Sequence, residues 1–288
     1  MRYAVLGAAG QLGSDLCPRL PGEVLPVIRQ QVDLTQPATI GPFLDAFRPD
    51  VVINCAAYNL VDRAEAEPEA AFAVNAWGVR HLARECGQRD LLLVHLSSDY
   101  VFGLDDTRRT PYAESDAPGP VSVYGLSKLA GEYLVRSLCP RHIVIRTCGL
   151  YGCGGTGGKG RNFVETMLRL GSQRSRLNVV DDQVCTPSST VDVAQGIIAL
   201  LGAARPGIFH LTNSGSTTWF QFARTIFDLS GMNVDVRPIG SREYGAPARR
   251  PAYSVLSLDG LRSVGLAEPR PWQEALGGYL KERTDQRP

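Results

Sequence analysis

The sequence predicts an α/β chain built on a doubly wound parallel sheet, with a smaller α/β lobe toward the C-terminus. Three observations carry that expectation. Short β-rich runs alternate with longer stretches of helical periodicity through the first half of the chain, the pattern of β-α-β units. The first of these runs passes directly into glycines at spacing three and three. The 288 residues, 44% hydrophobic and 20% charged, can bury a full core at the upper edge of single-domain size.

Tyr3-Ala4-Val5-Leu6 has the pattern of a buried strand, and Gly7-Ala8-Ala9-Gly10-Gln11-Leu12-Gly13 follows it as a tight turn and a helix start. A dinucleotide pyrophosphate needs such a turn. Backbone N–H groups at a helix N-terminus donate to the phosphates, and side chains at Gly7 or Gly10 would hold the backbone too far away. Gly13 lets the helix lie close to the sheet. Glycine turns without a ligand share this pattern, but its place right after the first strand favours a Rossmann-type dinucleotide site. Further strands are expected at 24–28, 51–54, 91–96 and 142–146. Helical spacing runs through 68–86, carried by Ala71, Val74, Ala76, Val79 and Leu82, and again through 124–138.

Residues 103–123, rich in proline and charge, read as an ordered surface loop because motifs flank them on both sides. Residues 151–160 contain six glycines, which suits either a mobile lid over a substrate or a plain surface connection. A helix near 162–171, a strand near 177–180 and a mixed C-terminal region follow. The expected division is a dinucleotide-binding domain over 1–150, with a segment near 185–212 returning to it, and a substrate lobe formed mainly by 151–288.

Thirty Lys and Arg against 29 Asp and Glu leave a net charge of +1, and the basic residues are scattered, so neither nucleic acid nor an acidic membrane surface is expected as a main partner. The chain starts on a strand and has no long apolar segment, so a cytoplasmic protein is expected. Seven cysteines, an odd number with no Cys-x-x-Cys pair, suit buried thiols in a reducing compartment. The four histidines are spread out, so no metal site is expected, and His95 reads as a satisfied strand residue.

Tyr124 and Lys128, four residues apart, project from one helix face into the same small volume. A free tyrosine titrates at about 10, and a neighbouring ammonium would lower that value, fitting Tyr124 to give a proton to a ketone oxygen as hydride reaches carbon. Lys128 would also bond the nicotinamide ribose. A solvated pair has the same spacing, but Ser98 adds weight to the catalytic reading. It sits in Leu96-Ser97-Ser98-Asp99-Tyr100-Val101-Phe102 at a strand C-terminal end, where ligands of open α/β sheets collect. Its hydroxyl can orient and polarise a substrate carbonyl.

In Gly7-x-x-Gly10-x-x-Gly13, Ser98 and Tyr124-x-x-x-Lys128 the chain resembles the extended short-chain dehydrogenase/reductases. It is most similar to their dTDP-4-dehydrorhamnose reductase branch, through segments spread over nearly the whole chain. Among these are Gly10-Gln11-Leu12-Gly13, residues 49–58, Ser97-Ser98-Asp99-Tyr100-Val101-Phe102, Tyr124-Gly125-x-Ser127-Lys128, Asn162-Phe163-Val164, Asp182-Gln183 and Arg250-Pro251. The resemblance implies reduction of the C4 ketone of a nucleotide-linked 6-deoxyhexulose by a reduced nicotinamide cofactor, with Ser98, Tyr124 and Lys128 as the catalytic triad. It implies cofactor contacts from Gly7, Gly10, Gln11, Leu12 and Gly13, from Asp33 and Leu34 near the adenine, and from Ala56, Ala57 and Tyr58, with Asn75 behind the site. Tyr124 and Lys128 belong to this cofactor set as well. Substrate contacts would come from Asn59, Val61, Ser98, Asp99, Tyr100, Asn162, Gln183 and Arg250. A homodimer is left open.

Arg29 follows the second expected strand where a carboxylate would bind the adenosine 2′-hydroxyl, which favours NADPH while leaving NADH open, and an Arg29 that only points to solvent is the alternative. Two departures touch the substrate pocket. Gly149 replaces an aromatic residue of the branch, enlarging or reshaping the pocket, and Cys185 replaces a glycine beside Gln183. Related dehydratases carry an Asp-Glu pair where this chain has Asp99-Tyr100, so elimination of water is disfavoured. A sugar-nucleotide 4-epimerase and a non-catalytic, nucleotide-binding regulatory subunit of methionine adenosyltransferase remain as alternatives on the same scaffold.

Overall fold

The computed structural model describes residues 1–155, 162–203 and 206–285. Its strands are β1 (Arg2–Leu6), β2 (Glu23–Val27), β3 (Val51–Asn54), β4 (Leu92–Ser98), β5 (His142–Thr147), β6 (Arg176–Val180), β7 (Val184–Cys185), β8 (Gly207–His210), β9 (Thr217–Thr218) and β10 (Asp235–Ile239). Six of them form one parallel sheet in the order β2-β1-β3-β4-β5-β8. Strand order reverses at β1, so the crevice between the C-terminal ends of β1 and β3 is the place where such sheets bind ligands.

The sheet is covered on both faces, and the alternation along its strands shows how. Tyr3 and Val5 of β1, Val51 and Ile53 of β3, and Ile143 and Ile145 of β5 face one core. Ala4, Leu6, Val52 and Val144 face the other. Successive strand residues point to opposite sides, so both faces must be apolar and the runs read as nearly continuous hydrophobic sequence. The first core is closed by Leu12 and Leu16 of the helix Gln11–Leu16 and by Val193, Ile197 and Leu200 of Thr190–Ala203. The second is closed by Ile40 and Leu44, by Val79, Leu82 and Cys86, and by Val135 of the long helix Val123–Leu138.

The helix expected over 68–86 is interrupted. It consists of Pro68–Phe72, a wide π turn over Ala73–Gly78, and Val79–Gln88. The widened turn carries Asn75 inward, where its amide accepts from the Tyr58 N–H at 2.9 Å and donates to the Tyr58 carbonyl at 2.9 Å and to Ser127 Oγ at 3.0 Å. Helical periodicity does not register an extra residue per turn when the neighbours are alanines and valines.

The C-terminal elements build a separate core. Val164, Met167 and Leu168 of the helix Phe163–Gly171 pack with Phe222, Ile226 and Phe227 of Trp219–Ser230 and with Leu276 and Tyr279 of Trp272–Asp285. β6 pairs with β10 in parallel and β7 with β9 antiparallel. The segment 251–258 then returns beneath the loop after β4. The Tyr112 N–H donates to Val255 O at 2.8 Å, and the Ser254 N–H donates to Val184 O at 2.9 Å. Within that loop Tyr112 stacks on Phe102 at 4.1 Å and 9°, in line with the expected ordered loop. No helix among the described residues is long and apolar enough to cross a membrane.

Among the described residues, one ion pair is almost fully buried. Arg146 of β5 and Glu132 of the helix Val123–Leu138 meet at 2.7 Å with side-chain exposures of 2% and 1%. Ser97 Oγ donates to the same carboxylate at 2.5 Å, and the Arg146 guanidinium lies 5.0 Å from the Phe102 ring centroid. A buried charge left alone is costly, so Glu132→Ala should lower the unfolding free energy by about 3–5 kcal/mol in urea titration. Disrupting the exposed Arg2–Glu23 pair should move it far less. Equal effects for the two would contradict this account of the core.

Candidate active site

The turn after β1 is shaped by contacts that exclude side chains. Gly7 has φ +76°, and a Cβ there would lie 2.7 Å from the backbone N of Ala56. A Cβ on Gly13 would lie 2.4 Å from Gly7 O. The helix begins at Gln11, so its first N–H groups lack intrahelical acceptors and are the donors a pyrophosphate uses. Gln11 Oε1 is buried without a partner among the described residues. The turn therefore fits a dinucleotide. The strap after β5 comes close to it: a Cβ on Gly155 would lie 2.4 Å from Gln11 N. The rest of the glycine-rich run, residues 156–160, lies outside the described residues.

From this turn a cleft of about 280 Å³ runs along the C-terminal ends of the strands. Gly7, Gly10, Gln11, Leu12 and Gly13 line one end. Ala57, Asn59 and Val61 follow, then Ser98, Asp99, Tyr100, Tyr124 and Lys128, with Asn162 and Gln183 entering from the C-terminal elements. Other expected residues stand outside its wall. Ala56 supports Gly7 from behind, while Tyr58 and Asn75 hold each other. Leu34 packs against Gly78, and Arg29 pairs with Asp33 at 3.0 Å on the surface beside β2. Arg250 is held by Asp62 at 2.8 Å.

Ser98 ends β4 and caps the short turn Asp99–Val101, accepting the Tyr100 N–H at 3.1 Å and donating to Asp99 Oδ1 at 3.1 Å. The other oxygen of Asp99 accepts from Ser254 Oγ at 2.6 Å. Burial raises the Asp99 carboxyl above its usual range, against hydrogen bonds from Ser254, Cys148 and Ser98. Ser254 and Cys148 are thus part of the site although neither stood out in the sequence. The Cys185 that departs from the branch is buried and acts with burial to raise the Cys148 thiol.

Tyr124 and Lys128 share the cleft, but not in the expected electrostatic relation. Burial pushes the Tyr124 phenol up to about 12, a hydrogen bond with Ser98 opposes the rise, and Asp99 and Cys148 add to it. Lys128 is not among the groups acting on it. The ammonium donates to Leu96 O at 2.6 Å instead, and burial lowers it to about 8 while Glu132 and Cys55 oppose that shift. The expected depression of the tyrosine is therefore corrected. In this setting Tyr124 keeps its proton, the state a proton donor needs. His95 is also only half satisfied: Nδ1 lies 3.2 Å from Asn54 Nδ2, and the buried Nε2 has no partner among the described residues. No group of His, Cys, Asp and Glu among the described residues is arranged to hold a metal.

The RmlD substrate binding domain family matches residues 1–284. The chain belongs to that family. It is 42% identical over 280 residues to a dTDP-4-keto-6-deoxy-D-glucose reductase of Streptomyces niveus, covering 96% of this chain and 95% of that one. It is also 42% identical to a dTDP-4-dehydrorhamnose reductase of Mycolicibacterium smegmatis, covering 96% and 84%. A dTDP-4-dehydrorhamnose reductase of Bacillus anthracis, solved in complex with NADP, superimposes with a TM-score of 0.92 at 37% identity over 98% of this chain and 99% of that one.

Lys128 is charged below about 8 and neutral above it. Turnover that needs its ammonium should fall as pH rises through that value, read as kcat/KM against pH. A profile flat to about pH 10, the range of an unperturbed lysine, would contradict the placement of Lys128.

Proposed function

We propose that this chain is an NADPH-dependent reductase of the C4 ketone of a nucleotide-linked 4-keto-6-deoxyhexose, acting in dTDP-deoxysugar biosynthesis. The observation that carries the reading is the convergence of Ser98, Tyr124 and Lys128 on one cleft that continues into the glycine turn. NADPH bound along that turn supplies the hydride. The chain's own residues handle the oxygen. Ser98 turns its hydroxyl proton from Asp99 to the ketone and polarises it. Tyr124 gives its proton to the oxygen as charge develops there. The Lys128 ammonium, held by Leu96 O, is the proposed donor to the ribose hydroxyls.

The reading assigns Gly7, Gly10, Gln11, Leu12 and Gly13 to the pyrophosphate, and Asp33 and Leu34 to the adenine side. Ala56 and Ala57 are proposed near the ribose and phosphates, with Tyr58 in the cofactor set and Asn75 behind the site. Arg29, 77% exposed in its side chain and anchored by Asp33, is the proposed partner of the 2′-phosphate. Asn59, Val61, Asp99, Tyr100, Asn162, Gln183 and Arg250 are the proposed substrate contacts. Residues 1–150 with the returning β8 form the cofactor half, and most of the remainder forms the substrate half. The seven cysteines are free, which supports a reducing, cytoplasmic setting. The net charge of +1 supports a nucleotide sugar rather than nucleic acid as partner.

The test is NADPH oxidation with dTDP-4-dehydrorhamnose. The wild type should turn over. Tyr124→Phe should lower kcat by about 10²-fold or more with NADPH binding retained, and Arg29→Ala should bring kcat/KM for NADPH toward that for NADH. An active Tyr124→Phe enzyme, or a wild type that binds NADPH and leaves the sugar unchanged, would overturn the reading.

A further inference from the structure

Gly149, in the stretch after β5, has φ +53° and borders the cleft. A Cβ there would lie 3.1 Å from Pro187 Cα and 3.2 Å from Cη2 of Trp219, so the tip of an indole from the C-terminal elements presses against the Gly149 backbone. Trp219 is firmly placed. It is the first residue of the helix Trp219–Ser230, whose cap Thr218 accepts the Gln221 N–H at 3.2 Å and donates to Asp181 at 2.5 Å. Thr218 and Thr217 pair across β7 with Val184 and Cys185. Phe163 lies 4.7 Å from the indole and directly follows Asn162, the cap of its own helix.

Trp219 is half-buried and lines the cleft, unlike Trp77, which is exposed, and Trp272, which is buried in the core. Its place along the cleft is also defined. Gly149 adjoins Cys148, whose thiol and the Asp99 carboxyl act on one another's titration, and Asp99 is bonded to Ser98. The indole therefore belongs to the reacting-sugar end rather than to the dinucleotide end at Gly7 and Gly13. A 6-deoxyhexose brings a methyl group and an apolar C–H face to that end, and a rigid aromatic surface receives such a face at little cost in side-chain entropy.

We infer that Trp219, backed by Phe163, is the aromatic wall that receives the apolar face of the hexose ring and so sets which keto sugar is accepted. This rests on the reductase reading above. Phe163 and Trp219 line the same cleft as Asn162 and Gln183, so the wall and the proposed polar contacts border one space.

The test compares Trp219→Ala and Trp219→Phe with the wild type. Trp219→Ala should raise KM for dTDP-4-dehydrorhamnose about tenfold or more, with a smaller change in kcat and none in the NADPH dissociation constant. Trp219→Phe, which keeps a ring, should recover most of the loss. Tryptophan emission should be quenched by dTDP-rhamnose in the wild type and not in Trp219→Phe, and dTDP alone should leave it unchanged. If Trp219→Ala fails to fold, the phenylalanine variant and the quenching still decide. An unchanged KM in an active alanine variant would overturn this inference alone, as would equal quenching by dTDP, which would place the ring at the nucleotide. A wild type silent toward the keto sugar would remove the reductase reading and this inference together.

Discussion

The site depends first on how closely two backbones approach at the reversal of strand order. Gly7 has a left-handed φ, and any side chain there would run into the Ala56 amide, while Gly13 lies against the Gly7 carbonyl in the same way. These contacts bring the start of the first helix down onto the sheet and leave its end open above the strands. The crevice, the placement of Asn59 and Val61 along it and the approach of the Gly155 strap all follow from that geometry. The two apolar layers hold the sheet, but they would hold it equally well without a site.

A second constraint is polar. The C-terminal ends of β4 and β5 carry Ser97, Ser98, Asp99, Arg146 and Thr147 into a region that burial makes costly for charge. The Glu132–Arg146 pair settles one part of it, with Ser97 donating to the same carboxylate. The Asp99–Ser254 bond settles another and ties β4 to a segment 155 residues further along the chain. Lys128 lies one helical turn before Glu132 and is held by the Leu96 carbonyl. Side chains at the cleft are thus held by neighbours from distant parts of the chain.

What could be read in advance follows from this division. The strands were legible because a parallel sheet is apolar on both faces, and five of them fall close to their expected positions, although β2 ends before Ile28 and β4 runs on to Ser98. Ser98, Tyr124 and Lys128 line one cleft, which the helix-turn spacing of Tyr124 and Lys128 and the strand-end position of Ser98 suggest. The state of Tyr124 was not legible, since the i, i+4 spacing shows Lys128 as its neighbour while burial and the Leu96 carbonyl decide where the charge acts. The π turn at Asn75 leaves no mark on apolar periodicity. Arg250 and Asp62, Asp99 and Ser254, and Gly149 and Trp219 meet only through the fold, so no sequence window contains any of the three pairs.

The reaction proposed for the cleft pairs hydride delivery to a sugar carbon with protonation of its oxygen by Tyr124. The most direct measurement is to run the reaction with NADPH deuterated at the transferred position of C4 of the nicotinamide and to locate the label by NMR in the isolated sugar nucleotide. The account predicts one deuterium on C4 of the hexose and none elsewhere. Deuterium retained in the nicotinamide product, or a C4 hydrogen drawn from solvent, would contradict it.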